Sequence, residues 1–523
     1  MSVPTDAFHV YDTTLRDGSQ REGLSLSVHD KLTIARHLDD LGVGFIEGGW
    51  PGANPKDAEF FARARTELTL HTAQLAAFGA TRKPGGVTAD DLAHLRESGA
   101  PIATMVAKSD VRHVERALRT TREENLAMVR DSVAHLVGEG QRVFLDAEHF
   151  FDGYQADKAY ALEVLRVAAE AGAEVLVLCD TNGGMLPSQL ADIVGAVVAD
   201  GLRVGIHAHN DTACAVANSL AAIDVGATHV QGTANGYGER CGNADLFSVV
   251  AALETKLDRR VLPEGRLAEL GRVAHAVAEV ANIAPDPHQP WVGASAFAHK
   301  AGLHVSAIKA DPDLYQHIDP AVVGNDMRLL MSELAGRATV ELKGRALGLE
   351  PDTATITQVL ERVKQLESVG YSFEAAEASF ELLLREQMGE RPHFFDLESW
   401  RVIVEHREGA VVSEATVKLH AQGARIIATG EGNGPVNALD NALRQALLEL
   451  FPPLAAFDLV DYKVRIVSGA HGTDAVTRVL VETSDGSTEW STVGVHENVI
   501  EASWQALEEA YTAGLLRHSQ GRA

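Results

Sequence analysis

The feature that most constrains this chain is a regular alternation of short apolar segments with amphipathic helical segments. It runs from about residue 8 to residue 257 and contains eight strand-then-helix units. A helix after every strand makes consecutive strands parallel, and eight such units in about 250 residues are typical of a (β/α)8 TIM barrel. The alternative, a doubly wound open sheet, needs fewer strands and usually has a glycine-rich phosphate turn after its first strand. No such turn occurs here, so the alternation predicts an α/β fold with a closed barrel.

Polar side chains follow most of the predicted strands. In a TIM barrel the loops after the strands converge on one rim, where enzymes of this fold carry their chemistry. One polar strand end is ordinary solvation, but polar ends on most strands indicate a functional site. These polar stretches are residues 12–18, 47–52, 146–149, 180–184, 207–211 and 236–243.

The charge and cysteine content of the chain exclude several classes of function. The formal net charge of −27 opposes binding to nucleic acid or to an anionic membrane surface. An anionic substrate must therefore be bound by local cationic groups or by a metal. Cys179, Cys214 and Cys241 fit neither a disulfide framework nor a zinc-finger spacing. Residues 1–6 lack a secretory pattern and no apolar run reaches the length of a membrane span, so we expect a cytoplasmic protein.

Two further regions follow the predicted barrel domain, which we assign to residues 1–262. Residues 263–392 are mainly helical with a proline-rich entry, and we expect them to form linker subdomains. Residues 393–523 change to strands of period two and predict a C-terminal α+β regulatory domain. Within it, two hairpins that are each followed by a turn and a helix predict an internal ββα-type repeat.

His207 and His209 are the first candidate ligands of a metal. They lie two residues apart at the end of a strand, so both imidazoles leave the same face. In a closed barrel the first, seventh and eighth strands are neighbours, which brings Asp17 and Asn243 close to this pair. Carboxylate, imidazole and amide ligands fit Mn²⁺, Mg²⁺ or Zn²⁺, and the sequence does not choose among them. A lone His-x-His is weak evidence, and it is the barrel topology that favours a metal site.

Arg16 and Thr181 are candidates for binding the substrate. A metal with open positions beside an arginine suits a 2-oxo acid, which chelates through its keto oxygen and carboxylate. Arg16 can stabilise the alkoxide that develops, and the Thr181 hydroxyl can hold the substrate carboxylate. Each residue also has a purely structural explanation, since Arg16 can form a turn ion pair with Asp17 and Thr181 can cap a helix.

Three motifs of the barrel region identify a family. Residues 13–18 (TTLRDG), 207–211 (HAHND) and 238–243 (GERCGN) resemble the 2-isopropylmalate synthase/homocitrate synthase/citramalate synthase family. The C-terminal region is similar to that family's regulatory domain, so the resemblance covers nearly the whole chain. Residues 47–52 (EGGWPG) and 180–184 (DTNGG) favour the citramalate synthase branch.

The resemblance implies an acyltransferase that condenses acetyl-CoA with pyruvate in a Claisen-type reaction. The expected products are (R)-citramalate and CoA, in isoleucine biosynthesis by the pyruvate route. By the family pattern, Arg16 assists the substrate oxygen, a divalent metal is held by the ligands named above, and Asn243 is the weakest of these.

Glu148, His304 and Tyr315 match the positions that the family uses for proton transfer. His304 and Tyr315 lie in the linker region, which in this family reaches into the barrel of the partner subunit. The resemblance therefore implies a homodimer whose active sites are completed in trans. It also implies a branched-chain amino acid effector for the C-terminal domain, isoleucine if citramalate is the product. The repeat can alternatively serve only as a dimerisation platform, and the three residues as a rim ion pair, a buried histidine and a packing residue.

Three other functions remain open from the sequence. One is a 2-isopropylmalate or homocitrate synthase, which uses a larger 2-oxo acid. A pocket discriminates between two substrates that differ by one methylene group by only about 1–3 kcal/mol. A barrel lyase that cleaves a C–C bond is less favoured, because a regulatory domain suits a committed biosynthetic step. A metal-free sensing or assembly protein with a vestigial barrel is disfavoured by the complete set of candidate ligands.

Overall fold

A computed structural model of the chain describes residues 7–407, 409–467 and 475–521. The chain divides into two compact units, Met1–Phe297 with Ile318–Asp326, and Ala298–His317 with Met327–Ala523. Residues 1–6, where the sequence shows no secretory pattern, lie outside the described residues. Within the described ranges, none of the helices is both long enough and apolar enough to cross a membrane.

The first unit contains a closed barrel of eight strands, which confirms the predicted fold. Neighbouring strands are parallel, and the barrel closes where Tyr11 of the first strand pairs with Gln231 of the last. The strands are β1 (His9–Asp12), β2 (Phe45–Gly49), β3 (Gln74–Ala80), β4 (Ile102–Lys108), β5 (Arg142–Glu148), β6 (Val175–Asp180), β7 (Val204–Ala208) and β8 (His229–Gly232). The helices are α1 (Val28–Leu41), α2 (Pro55–Glu67), α3 (Thr88–Asp91), α4 (Ala93–Glu97), α5 (Val111–Arg116), α6 (Arg122–Gly138), α7 (Phe150–Ala156), α8 (Lys158–Glu170), α9 (Pro187–Ala199), α10 (Ala215–Asp224), α11 (Leu246–Lys256) and α12 (Leu270–Val280).

The inside of the barrel is filled by side chains. Tyr11, Phe45 and Phe144 belong to one buried cluster there, and the rings of Phe45 and Phe144 lie 5.5 Å apart, edge to face. The larger apolar core is formed by the strands together with the surrounding helices. Because side chains alternate along each strand, the inward positions pack on one another and the outward positions pack on the helices. A filled interior restricts ligand binding to the rim.

The second unit begins with a mainly helical part, as predicted for much of the linker region. A short parallel pair of strands accompanies these helices. The elements are β9 (Ala298–His299), α13 (Gly302–Ala310), β10 (Arg328–Leu329), α14 (Arg337–Ala346), α15 (Thr353–Ser368) and α16 (Glu377–Gln387).

The C-terminal part of this unit contains the predicted repeat, with one more strand in each copy than the sequence indicated. Each copy is a three-stranded antiparallel sheet followed by a helix. The first consists of β11 (Phe395–Arg407), β12 (Ala410–Ala421), β13 (Ala424–Gly432) and α17 (Pro435–Leu447). The second consists of β14 (Asp458–Ile466), β15 (Thr477–Ser484), β16 (Glu489–His496) and α18 (Val499–Ser519). The additional strands β11 and β14 are largely exposed, and a register shift near the start of each interrupts the alternation that marks a half-buried strand.

Glu509 gives the stability of this unit a pH dependence. On α18, its carboxylate accepts a hydrogen bond from Ser379 of α16 and lies 3.7 Å from Nη2 of Arg391. Burial raises the pKa of Glu509 to about 7, because the charged form loses its hydration. The folded unit therefore holds this proton more tightly than the unfolded chain does. The resulting stabilisation is complete below about pH 4 and is lost as the pH rises through 7.

We expect Glu509→Gln to raise the free energy of unfolding at pH 8 by about 2 kcal/mol and to change it little at pH 5. The measurement is urea unfolding followed by tryptophan fluorescence at both pH values. Glu497→Gln, at an exposed position of the turn before α18, is the matched control. Equal effects of the two substitutions at pH 8 would contradict this explanation.

Candidate active site

Three of the predicted ligands meet at the rim of the barrel. The carboxylate Oδ2 of Asp17 lies 3.2 Å from Nε2 of His207 and 3.8 Å from Nε2 of His209. The two Nε2 atoms are 3.3 Å apart, and all three residues are buried. Divalent ions bind nitrogen and oxygen at about 2.0–2.2 Å, which places neighbouring ligand atoms about 3–3.5 Å apart. The three groups therefore have the spacing of one shared ion.

The protonation of these ligands also suits a cation. The Nδ1 of His207 is 2.8 Å from the carbonyl Oε1 of Gln231, which only accepts, so Nδ1 carries a proton and, in the neutral imidazole, Nε2 is left with its lone pair. Although burial opposes ionisation, Arg16 and the two imidazoles lower the pKa of Asp17 below its ordinary value. Burial and the neighbouring His207 lower the pKa of His209 to about 4. A carboxylate and two imidazole nitrogens this close together require a proton or a metal ion between them.

Asn243, the predicted fourth ligand, is anchored beside His209. Its side chain is buried, its amide nitrogen donates to the carbonyl of Tyr237 at 3.1 Å, and its backbone pairs with His209. Within the described part of the chain, Oδ1 of Asn243 and Oδ1 of Asp17 have no hydrogen-bond partner. Buried oxygens without partners are costly, and a cation bound between Asp17 and the two histidines would satisfy the carboxylate.

Arg16 is held in place by Glu47, a residue that the sequence analysis did not assign to the site. Its Nε donates to Oε2 of Glu47 at 2.6 Å, and its Nη1 lies 3.3 Å from Oδ2 of Asp17. Its guanidinium also stacks 3.9 Å above the centre of the Phe78 ring. Glu47 is buried and accepts further hydrogen bonds from Tyr11 and Thr13. The sequence feature that could have indicated Glu47 is its place near the end of β2, on the rim where the other candidates lie.

Glu148 and Thr181 line the same cavity, which has a volume of about 480 Å³. Glu148 ends β5 and forms an ion pair with Lys108 at the end of β4. The Thr181 hydroxyl accepts a hydrogen bond from the backbone N–H of His149 at 2.8 Å, which leaves its own proton available to a ligand. Trp50 and Phe78, whose rings are 5.3 Å apart, form an aromatic wall of this cavity.

His304 and Tyr315 belong to the other unit. His304 lies on α13 and Tyr315 follows it, and their rings stack with centroids 4.2 Å apart. Tyr315 is 40% exposed, and Leu303 beside His304 is 75% exposed. These two candidate residues therefore form one local pair on an accessible surface of that unit.

The sequence is similar to known proteins over nearly its whole length. The (R)-citramalate synthase of Streptomyces coelicolor is 65% identical over 519 residues, which cover 98% of this chain and 97% of that protein. The (R)-citramalate synthase of Synechocystis sp. is 49% identical, with 98% and 97% covered. The (R)-citramalate synthase of Aquifex aeolicus is 46% identical, with 98% of each chain covered. The chain belongs to the (R)-citramalate synthase family. This membership confirms the resemblance that the three barrel motifs indicated.

Matches to three domain families divide the chain along its length. Residues 7–277 match the HMGL-like family and include the four candidate metal ligands. Residues 291–370, which include His304 and Tyr315, match the homocitrate synthase post-HMGL domain-like family. Residues 374–515 match the LeuA allosteric (dimerisation) domain and contain both copies of the repeat. The chain thus combines a barrel domain with an allosteric-type domain in the order that the sequence analysis predicted.

Proposed function

We propose that this chain condenses acetyl-CoA with pyruvate to form (R)-citramalate and CoA. The observation that carries the proposal is the convergence of Asp17, His207 and His209 beside Arg16 at the rim of the barrel. Relatives at 46–65% identity over almost the whole chain, all named (R)-citramalate synthase, support the choice of substrates. The reaction belongs, in this proposal, to isoleucine biosynthesis by the pyruvate route.

The proposed cofactor is one divalent cation, Mn²⁺, Mg²⁺ or Zn²⁺. Asp17, His207 and His209 would hold it, with Asn243 as the weaker fourth ligand, and their unpartnered buried oxygens support this assignment. When bound, the cation acts as a Lewis acid on the keto group of the 2-oxo acid. Three or four protein ligands leave positions for a bidentate substrate, as catalytic sites require.

Arg16 and Thr181 bind the 2-oxo acid in this scheme. The guanidinium of Arg16 is fixed by Glu47 and Phe78, so its charge is already oriented towards the oxygen on which negative charge develops. The free hydroxyl proton of Thr181 donates to the substrate carboxylate. Fixed donors of this kind lower the barrier because they need no reorganisation during the reaction.

The condensation requires proton transfer by Glu148, His304 and Tyr315. A base removes a proton from the methyl group of acetyl-CoA, and the enolate carbon then attacks the keto carbon to form the new C–C bond. The keto oxygen becomes the tertiary hydroxyl, and water hydrolyses the thioester to release CoA as the thiol. We assign His304 and Tyr315 to the partner subunit's site, so that a homodimer is needed for activity. The exposure of Tyr315 and of Leu303 beside His304, and the match to a dimerisation domain, support this assignment.

A thiol-release assay with acetyl-CoA and a panel of 2-oxo acids tests the substrate assignment. Pyruvate should exceed 2-oxoisovalerate and 2-oxoglutarate in kcat/KM by at least about tenfold, because the pocket beside Trp50 and Phe78 must reject extra methylene groups. A higher kcat/KM for 2-oxoisovalerate would instead identify a 2-isopropylmalate synthase. A higher value for 2-oxoglutarate would identify a homocitrate synthase.

We also propose that the C-terminal domain binds a branched-chain amino acid, isoleucine if citramalate is the product. The match of residues 374–515 to an allosteric domain supports this role. Calorimetry of the full-length protein should show saturable heat with isoleucine, and isoleucine should lower the rate of thiol release. Absence of heat with isoleucine, leucine and valine would leave dimerisation as the role of this domain.

A further inference from the structure

Behind the candidate metal ligands lies a buried chain of hydrogen bonds that connects three strands of the barrel. Nδ1 of His207 on β7 is 2.8 Å from Oε1 of Gln231 on β8. The amide nitrogen of Gln231 donates to Oδ1 of Asp146 on β5 at 2.9 Å. The three residues are 4%, 1% and 3% exposed, so solvent cannot replace any of these bonds.

The direction of these bonds determines which nitrogen of His207 is available. The amide nitrogen of Gln231 donates to the carboxyl group of Asp146. The carbonyl oxygen of the same side chain therefore faces His207. A carbonyl oxygen only accepts, which requires the proton of His207 on Nδ1. In the neutral imidazole the lone pair is thereby fixed on Nε2, the atom 3.2 Å from Asp17 and 3.3 Å from His209.

We propose that Gln231, held by Asp146, is a positioning residue for the metal centre. It sets the tautomer and the ring orientation of His207, and it does not itself contact the ion. Partners of this kind behind a metal-bound histidine typically change metal affinity by about 10- to 100-fold when they are removed. This inference rests on the proposed metal-dependent function, and it adds that the affinity of the site depends on an amide one strand away from the ligand.

The competing explanation is that Gln231 only fills space inside the barrel. Gln141 provides a matched control. It directly precedes β5, whereas Asp146 lies near the other end of that strand, and its amide nitrogen donates to the carbonyls of Ala100 at 3.0 Å and Leu95 at 3.3 Å. Gln141→Met removes a similar amide from the same domain without touching a candidate ligand. A purely structural role predicts the same metal affinity for both methionine variants.

The test is calorimetric titration of the metal-depleted, full-length protein with Mn²⁺. We expect Gln231→Met to raise the Kd for Mn²⁺ by about 10- to 100-fold, and Gln141→Met to change it by less than about threefold. Gln231→Glu should bind more tightly than Gln231→Met, because a carboxylate oxygen accepts the same proton from His207. Equal affinity of the wild type and Gln231→Met would overturn the inference while leaving the metal site intact. A wild type that binds no Mn²⁺ would instead refute the proposed function, and this inference with it.

A second measurement needs no variant at Gln231 and remains informative if that variant does not fold. Nitrogen-15 NMR of histidine-labelled wild type loaded with Mg²⁺ reports the tautomer, with the His207 resonance assigned by His207→Asn. The inference predicts a protonated Nδ1 in His207. A proton on Nε2 would overturn it.

Discussion

Replacing Asp17 by asparagine, or His209 by alanine, is expected to remove both turnover and the bound divalent ion while leaving the barrel folded. Oδ2 of Asp17 and Nε2 of His209 lie 3.2 Å and 3.3 Å from Nε2 of His207, and neither side chain takes part in the backbone pairing of the strands. A metal contributes several kcal/mol of stabilisation to the transition state, so we expect at least about a 1000-fold loss of kcat/KM. The measurements are thiol release and metal content by mass spectrometry.

Asp40→Asn and His29→Ala are the controls for these variants. They make the same chemical changes at exposed positions of the barrel domain and should keep full activity and one bound ion per chain. Circular dichroism establishes that all four variants are folded. Persistent activity in both site variants would remove the catalytic scheme.

Arg16→Lys is expected to have the second largest effect, although it conserves the charge. Lysine cannot reproduce the donation from Nε to Glu47, the contact of Nη1 with Asp17 and the stacking on Phe78 at the same time. The donor for the developing oxyanion is then misplaced, which typically costs about 100- to 1000-fold in kcat. Steady-state kinetics with pyruvate and acetyl-CoA measures the change.

The matched control for this substitution is Arg21→Lys. Arg21 lies on the same loop, but its guanidinium is 5.2 Å from the ring centre of Tyr237 and does not contact Glu47 or Asp17. Its kcat should remain within about threefold of wild type. If Arg16→Lys is equally active, positioning of the guanidinium is not important for catalysis.

The sequence was sufficient to predict the barrel and the convergence of Asp17 with His207 and His209, because both follow from periodicity and topology. Eight strand-then-helix units favour a closed barrel, and closure brings Asp17 next to His207 and His209 although they are far apart in the chain. His304 and Tyr315, in contrast, were predicted from the family resemblance alone, since no pattern in their own segment indicates chemistry.

Residues whose role depends on a specific partner were not predicted. Glu47 and Gln231 act through single hydrogen bonds to Arg16 and His207, and such pairings depend on side-chain directions that a sequence pattern does not contain. Strands β11 and β14 were missed for a different reason. Both strands are largely exposed, and a register shift near the start of each interrupts the alternation by which a strand is recognised.

The central claim is that Asp17, His207 and His209 share one cation, and crystallography with Mn²⁺ tests it most directly. Crystals of the full-length protein grown with Mn²⁺ and pyruvate should show one strong anomalous peak about 2.0–2.3 Å from Oδ2 of Asp17 and from both Nε2 atoms. An anomalous peak at another place in the chain, or no peak among these three atoms at saturating Mn²⁺, would contradict the account.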